Sequence, residues 1–288
     1  MKNHQVTSEK PFAIGCPALI WQILFFYIPL CFMVISSFLK VSEGGKIQGI
    51  TLESIALFLS PTYLKVIGSS LVLALSTALI CLSVAYPLAY FIAFSSKKFK
   101  NIGLFLLLIP FWTNFLLHVY AWFYVLEKQG FVNNLLLSLN IIQEPILMLN
   151  SLFAIMVMMV YYYLPFMVLP IYSSLERFNP SLIEASLDLG ASWFQTFRRI
   201  MLPLTMRGVR AGFLLVYIPA FGEFAIPELM GGDKQMFVGN VISQYILAEE
   251  TGSLGAAFTV LSGFILIVTV VVLYKLMEKI ITPLKTNA

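Results

Sequence analysis

The chain has 288 residues, 59% of them apolar and 11% charged, with a net charge of +4, against about 25% charged residues in an ordinary soluble domain. Its 18 Lys and Arg and 14 Asp and Glu are too few to coat a globular surface of this size in water. A soluble fold is excluded, nucleic acid binding gains no support, and an all-α membrane protein in one domain, residues 1–288, is expected.

A hydrocarbon layer about 30 Å thick takes about 20 apolar residues as helix. In chain order the predicted spans are 12–38, 66–94, 102–126, 149–173, 208–229 and 257–281. The first follows Lys2 and Lys10, and its apolar run from Phe12 to about Phe38 is too long for a cleaved secretory signal, so a retained span is expected. Pro29, Pro87, Pro110, Pro165 and Pro219 fall inside spans. Packed membrane helices tolerate such residues, and the resulting kinks either line a cavity or reflect the general frequency of Pro in membrane helices. Cys16, Cys31 and Cys81 all lie in apolar stretches, where a thiol packs as a small hydrophobe and forms neither a disulfide framework nor a metal site.

With six spans both termini lie on one side. Most basic residues fall in the tails and in the second and fourth loops, leaving only Lys40, Lys46, Lys65, Lys128 and Lys234 on the other side. The positive-inside rule therefore predicts cytoplasmic termini and a cytoplasmic 174–207 loop. The external loops carry eight acids, among them Glu228 and Asp233, which suit a cationic solute or simply keep the loops soluble. No repeat of 20–50 residues and no inverted repeat is evident, so a second copy or a related chain is needed to complete a two-fold pore.

The 174–207 loop reads as helix, Gly, helix. Ser181 with Glu184, and Ser192 with Gln195, match the capping box that satisfies backbone donors at a helix start. Gly190 sits where the first helix stops and the chain reverses. Leu182, Ala185 and Leu189 share one face, suited to packing on the membrane domain, while Glu184 and Asp188 share another that either meets a partner or belongs to an ordinary capped loop with none.

The run Glu184-Ala185-Ser186, then Gly190, then Ile200 through Leu202-Pro203 resembles the Glu-Ala-Ala, Gly, Ile-x-Leu-Pro signature of ABC importer permeases. Ser186 stands where that signature often has Ala. Further stretches, Pro110 to Trp122, Leu164 to Tyr172 and Ile218 to Gly232, extend the resemblance to the spermidine/putrescine permease family, in its first-permease branch. His118 departs from it, standing where many relatives carry Arg. The resemblance implies a type I importer fold of six transmembrane helices in a bacterial inner membrane. It also implies a heterodimer with a second homologous permease, two copies of a cytoplasmic ABC ATPase and a periplasmic polyamine-binding protein. Glu184, Ala185, Ser186, Asp188, Gly190, Leu202 and Pro203 become the ATPase-coupling candidates. The chain itself is expected to bind no metal or cofactor, ATP and Mg being used by the partner ATPase. Indeed no G-x-x-x-x-G-K-[ST] occurs, Gly45-Lys46 being followed by Ile47.

A polyamine path needs carboxylates, carbonyls and aromatic faces in place of water. Glu223 lies in the fifth predicted span, where an ionised group costs about 3 kcal/mol unless it is paired or faces a cavity. Gly222, Pro219 and Pro227 beside it favour an opened helix. Trp112, Tyr120 and Trp122 offer cation–π faces, although an interfacial aromatic belt uses the same residue types. Asn114 is a further polar candidate, and Glu228 and Asp233 stand at the external end. The consecutive Tyr161, Tyr162 and Tyr163 point around a helix and are expected to serve packing or the belt. Two other classes remain: a stand-alone cation-coupled carrier using Glu223, and a membrane enzyme. The second finds no catalytic motif, since the only histidines are His4 and His118.

Overall fold

A computed structural model describes residues 11–41, 47–232, 235–247 and 252–285, arranged in two compact units. The first unit takes in the described residues up to Ser60 together with those of Ile242–Gly263. It opens with α1 (Pro11–Gln22), a π turn (Ile23–Tyr27) and α2 (Ile28–Ser36), which form an apolar rod over Gly15–Ser36 with none of its hydrophobic window buried. The π turn has a cause in the sequence. A proline ring inside an α-helix collides with the carbonyl four residues back, and the extra residue of a wider turn just before Pro29 moves that carbonyl away. Strands β1 (Leu39–Val41) and β2 (Ile47–Ile50) pair antiparallel, Leu39 opposite Ile50, before α3 (Glu53–Phe58). Lys40 meets Glu53 at 2.9 Å, and its hydrogen bond holds that carboxyl below the usual carboxylate range. Phe58 is fully buried, its ring 5.7 Å from Tyr245 and 4.9 Å from Phe258.

The second unit takes in the described residues of Pro61–Val241 and Phe264–Ala288. Its core is three mutually packed helices, α4 (Pro61–Phe94), α8 (Leu152–Glu176) and α11 (Leu202–Phe221). Ala74, Ala78, Cys81, Ala85 and Ala89 recur at three- and four-residue spacing on α4 and are fully buried. Small side chains on one stripe let helices approach where lipid supplies no hydrophobic drive. Met158, Met159 and Met167 of α8, all fully buried, fill the gaps with flexible apolar bulk. On α11 the contact is closer still: a Cβ on Gly208 would lie 2.3 Å from the Pro170 carbonyl oxygen.

Most predicted spans shift by a few residues at their ends, and two are broken or displaced. In place of a continuous 102–126 span there are two arms, Lys97–Trp112 and Phe115–Ser138, bent by 99°. They comprise α5 (Lys97–Leu108), a 3-10 turn (Ile109–Trp112), α6 (Phe115–Leu126) and α7 (Phe131–Ser138). Pro110 sits in the 3-10 turn, and Asn114 restarts the helix by accepting a hydrogen bond from the Leu116 amide at 2.8 Å, a side-chain cap competing with helix continuation. In place of 208–229, a single helical run covers Trp193–Phe221. It comprises α10 (Trp193–Thr196), a π turn (Phe197–Met201) and α11. Pro203 follows that turn at the spacing at which Pro29 follows the other, and the same steric relief applies. The run ends at Phe221, and α12 (Ala225–Gly231) follows a three-residue break. Between α8 and α10 lies α9 (Ser181–Asp188), and after α12 come α13 (Val238–Leu247) and α14 (Gly252–Lys285). Among the described residues five helices are long and apolar enough to cross a membrane, or six with the bent pair counted as one span.

Candidate functional site

The first site is the break between α11 and α12. Pro219 lies two residues before the end of α11, and Gly222 follows as its C-cap. The chain leaves the helix there, and Glu223 falls in the break, half-buried. Its two oxygens have separate partners. Oε2 accepts the Tyr163 hydroxyl at 2.7 Å, while Oε1 accepts the backbone amides of Ala225 at 3.1 Å and Ile226 at 3.4 Å. The carboxylate thus satisfies the free donors at the start of α12 and ties that turn to α8.

Around it α6 and α8 are joined by rings. Tyr161 lies 5.5 Å from Trp122, and its hydroxyl is 2.8 Å from His118 Nδ1, while His118 Nε2 meets the Thr113 hydroxyl at the bend. Phe115 packs edge-on against Tyr162 at 5.1 Å, and Tyr162 against Tyr163 at 5.3 Å. The three tyrosines therefore have different partners, and only Tyr163, 5% exposed, reaches Glu223. Of the other path candidates, Trp112 is 73% and Tyr120 53% exposed, and Asn114 spends its side-chain oxygen on the α6 cap. Glu228 accepts a hydrogen bond from Asn240 at 3.3 Å, and that amide also reaches the Phe224 carbonyl. Asp233 lies outside the described residues. Sequence reading missed Tyr163 as a partner of Glu223. Sixty positions separate them, and nothing local to either signals the pair. Asn240 was missed for the same reason.

The second site is the loop of α9. Gly190 has φ +81°, the left-handed region that costs a residue with a Cβ about 1–2 kcal/mol. The Ser192–Gln195 capping box is present in both directions. The one expected at Ser181–Glu184 is absent: Pro180 already has helical angles, and Asn179 takes the cap by accepting the Ser181 amide at 3.1 Å. Pro suits the first helical position because it has no donor to satisfy there.

The expected inward face is also corrected. Leu182 is 42% and Leu189 89% exposed, and Ala185 is exposed beside Glu184 and Asp188. The inward residue is Ser186, whose hydroxyl lies 2.9 Å from that of buried Thr196. Tertiary hydrogen bonding, not the apolar pattern of an eight-residue helix, sets the rotation of α9. The loop is braced further along. Trp193 stacks on Phe197 at 5.5 Å and meets Tyr90 of α4 edge-on. Phe197 in turn packs on Tyr86, whose hydroxyl bonds to that of Thr205 at 2.9 Å. Leu202 and Pro203 are half-buried at the start of α11. An outward apolar and acidic surface is thus wired rigidly into α4 and α11.

Residues 85–285 match the family described as the binding-protein-dependent transport system inner membrane component. The chain belongs to that family. This permease is 41% identical over 273 residues, 93% of its length and 94% of theirs, to the spermidine/putrescine transport system permease protein PotB of Salmonella typhimurium. The Escherichia coli K12 protein of the same name is 41% identical over 253 residues, 86% of this permease and 92% of that protein. The Haemophilus influenzae one is 38% identical over 242 residues, covering 83% and 84%. A chain of the solved bacterial ABC transporter involved in import of the acidic polysaccharide alginate superposes with a TM-score of 0.72 at 17% identity, covering 93% of this permease and 94% of that chain. The same importer solved in complex with its alginate pentasaccharide-bound periplasmic protein gives an equal score. At such identity the likeness shows the fold, an ABC importer permease fold. This permease is accordingly a multi-pass inner membrane component of a transport system.

Proposed function

We propose that this permease is one membrane half of an ATP-driven polyamine importer, taking spermidine or putrescine from a periplasmic binding protein. The near full-length similarity to spermidine/putrescine permeases carries this reading, and the chemistry of the α11–α12 break supports it. A carboxylate accepts about four hydrogen bonds. Glu223 has three partners, two of them on Oε1, so Oε2 retains capacity for an ammonium group. Tyr163 and the backbone amides hold the oxygens still while the cation arrives, which limits the ordering cost of the contact. Trp122, in the ring cluster with Tyr161, is proposed as the aromatic face nearest that path. Trp112, Tyr120 and Asn114 are proposed to border it only when a second, homologous permease closes the pore, with Glu228 and Asp233 at the external entrance.

In this reading the chain is not an enzyme. Two copies of an ABC ATPase, carrying ATP and Mg, serve the permease pair, and one of them grips the surface of Glu184, Ala185, Asp188 and Leu189. Movement passes through the Ser186–Thr196 contact together with the Trp193–Phe197–Tyr86 ring stack into the Trp193–Phe221 helix and so to Glu223 at its far end. The skew of basic residues supports cytoplasmic termini and a cytoplasmic α9, with both compact units serving as one permease domain. The test is uptake of labelled spermidine by proteoliposomes holding this chain, its second permease, the ATPase and the binding protein. Uptake that needs ATP and all partners is expected. Equal uptake by this chain alone under an ion gradient without ATP would overturn the reading in favour of a cation-coupled carrier.

A further inference from the structure

At the Glu176 end of α8 a groove of ≈ 470 Å³ opens between α8, α9 and α11. Arg177 and Arg207 line it with Ser173, Ser174 and Asn179, and Phe178, Leu182 and Leu204 form its apolar wall. No acid lines it. The neighbouring carboxylate, Glu176, is engaged by Lys100 at 3.2 Å and by the Tyr172 hydroxyl at 2.6 Å. Among the described residues neither arginine has an ion pair. Asn179 uses only its side-chain oxygen, on Ser181, which leaves its amide donors for a ligand. Beside it α11 approaches α8 closely at Gly208, where a Cβ would collide with the Pro170 carbonyl and the Ser174 hydroxyl.

Arg177 also feels the charge of Glu176, yet two guanidiniums without an ion pair, two serines and an amide around a groove that no acid lines are the complement of a phosphate, which Arg binds through paired N–H groups. The place of the groove decides which phosphate. α8 and α11 are apolar helices long enough to cross a membrane, and the groove lies at the polar end of α8 with Leu204, 56% exposed, on its rim. The apolar flank of one ligand would lie along Leu204 while its charge entered the groove. We propose that this groove seats the headgroup phosphate of an anionic phospholipid, holding the α8–α9–α11 junction at the membrane surface. The lipid is a structural ligand, separate from the cargo path at Glu223 and from the acidic face of Glu184 and Asp188 on α9.

The assembled transporter, stripped of lipid in detergent and offered equal phosphatidylglycerol and phosphatidylcholine, tests this by native mass spectrometry of retained lipid. The expected preference for phosphatidylglycerol is roughly thirtyfold, the factor two basic residues supply at a charged membrane surface. Arg177→Gln with Arg207→Gln should abolish most of it. Lys97→Gln with Lys98→Gln removes equal charge from the end that the Lys100–Glu176 pair joins to α8, and should leave the preference intact. If the double arginine variant fails to assemble, Arg207→Lys alone, which keeps the charge and loses the fork, should lower the preference several-fold. Unchanged selectivity in the arginine variants overturns the proposal. So does equal loss in the lysine variant, which would mean unspecific surface charge. Displacement of lipid by millimolar inorganic phosphate would identify a soluble-anion site instead, and release of lipid when the ATPase binds would identify a protein contact.

Discussion

The helical run from Trp193 to Phe221 is finished by opposite chemistry at its two ends. At the Trp193 end, stacked rings, a reciprocal capping box and a pair of buried hydroxyls leave little that can shift independently. At the Phe221 end the helix opens at Gly222, and the chain is held by one carboxylate shared between a tyrosine hydroxyl and two amides. Where water is scarce every polar group needs a partner, and among the described residues no buried side-chain nitrogen or oxygen lacks one. Packing suits a part that transmits displacement, whereas an exchangeable polar contact suits a part that admits a cation. One helix carries both.

Either end of the helix can be perturbed without touching the other. The largest effect is expected from Glu223→Gln, which keeps the size of the side chain and removes its charge. Hydrogen bonds involving a charged group contribute about 1.5–3 kcal/mol, so spermidine uptake by the reconstituted transporter should fall by about fiftyfold, mostly through a raised KM. Next is Gly190→Val, which forces a branched side chain into φ +81°. The strain of about 1–2 kcal/mol should weaken ATPase docking by about tenfold, read as co-purification of the ATPase with the permease.

Tyr163→Phe sharpens the picture at the cargo end. Glu223 keeps its charge and its two amide donors but loses the 2.7 Å hydroxyl, and uptake should fall by about fivefold, less than for Glu223→Gln because the charge that meets the cation stays. The smallest effect belongs to Ser186→Ala. Thr196 still donates to the Ser192 carbonyl at 3.2 Å, so neither group is left buried and unpaired, and uptake should change by about twofold or less.

The sequence carried the general architecture because lipid makes hydropathy an almost sufficient signal for spans. It also carried Gly190 and the Ser192 cap, where a turn and a short-range hydrogen bond are written in adjacent residues. Hydropathy could not see the 99° bend, since Thr113 and Asn114 barely lower the mean of a long window, although the Asn before an apolar run is itself a cap signal. The false Ser181 box follows from giving the Ser–Glu spacing precedence over Asn179-Pro180, in which Pro occupies the first helical turn and passes the cap back to Asn. Gly222 and Pro219 correctly marked an opening beside Glu223. Which residue of another helix would answer that carboxylate depends on the packing of α8 against α11, and no local pattern encodes it.

The division of labour along Trp193–Phe221 is tested most directly by measuring ATP hydrolysis and spermidine uptake together in the reconstituted transporter bearing Glu223→Gln. Hydrolysis stimulated by the binding protein should stay within about twofold of wild type, as expected when the altered contact lies outside the braced end, while uptake collapses. Parallel loss of hydrolysis and uptake, or uptake at the wild-type rate, would contradict the account.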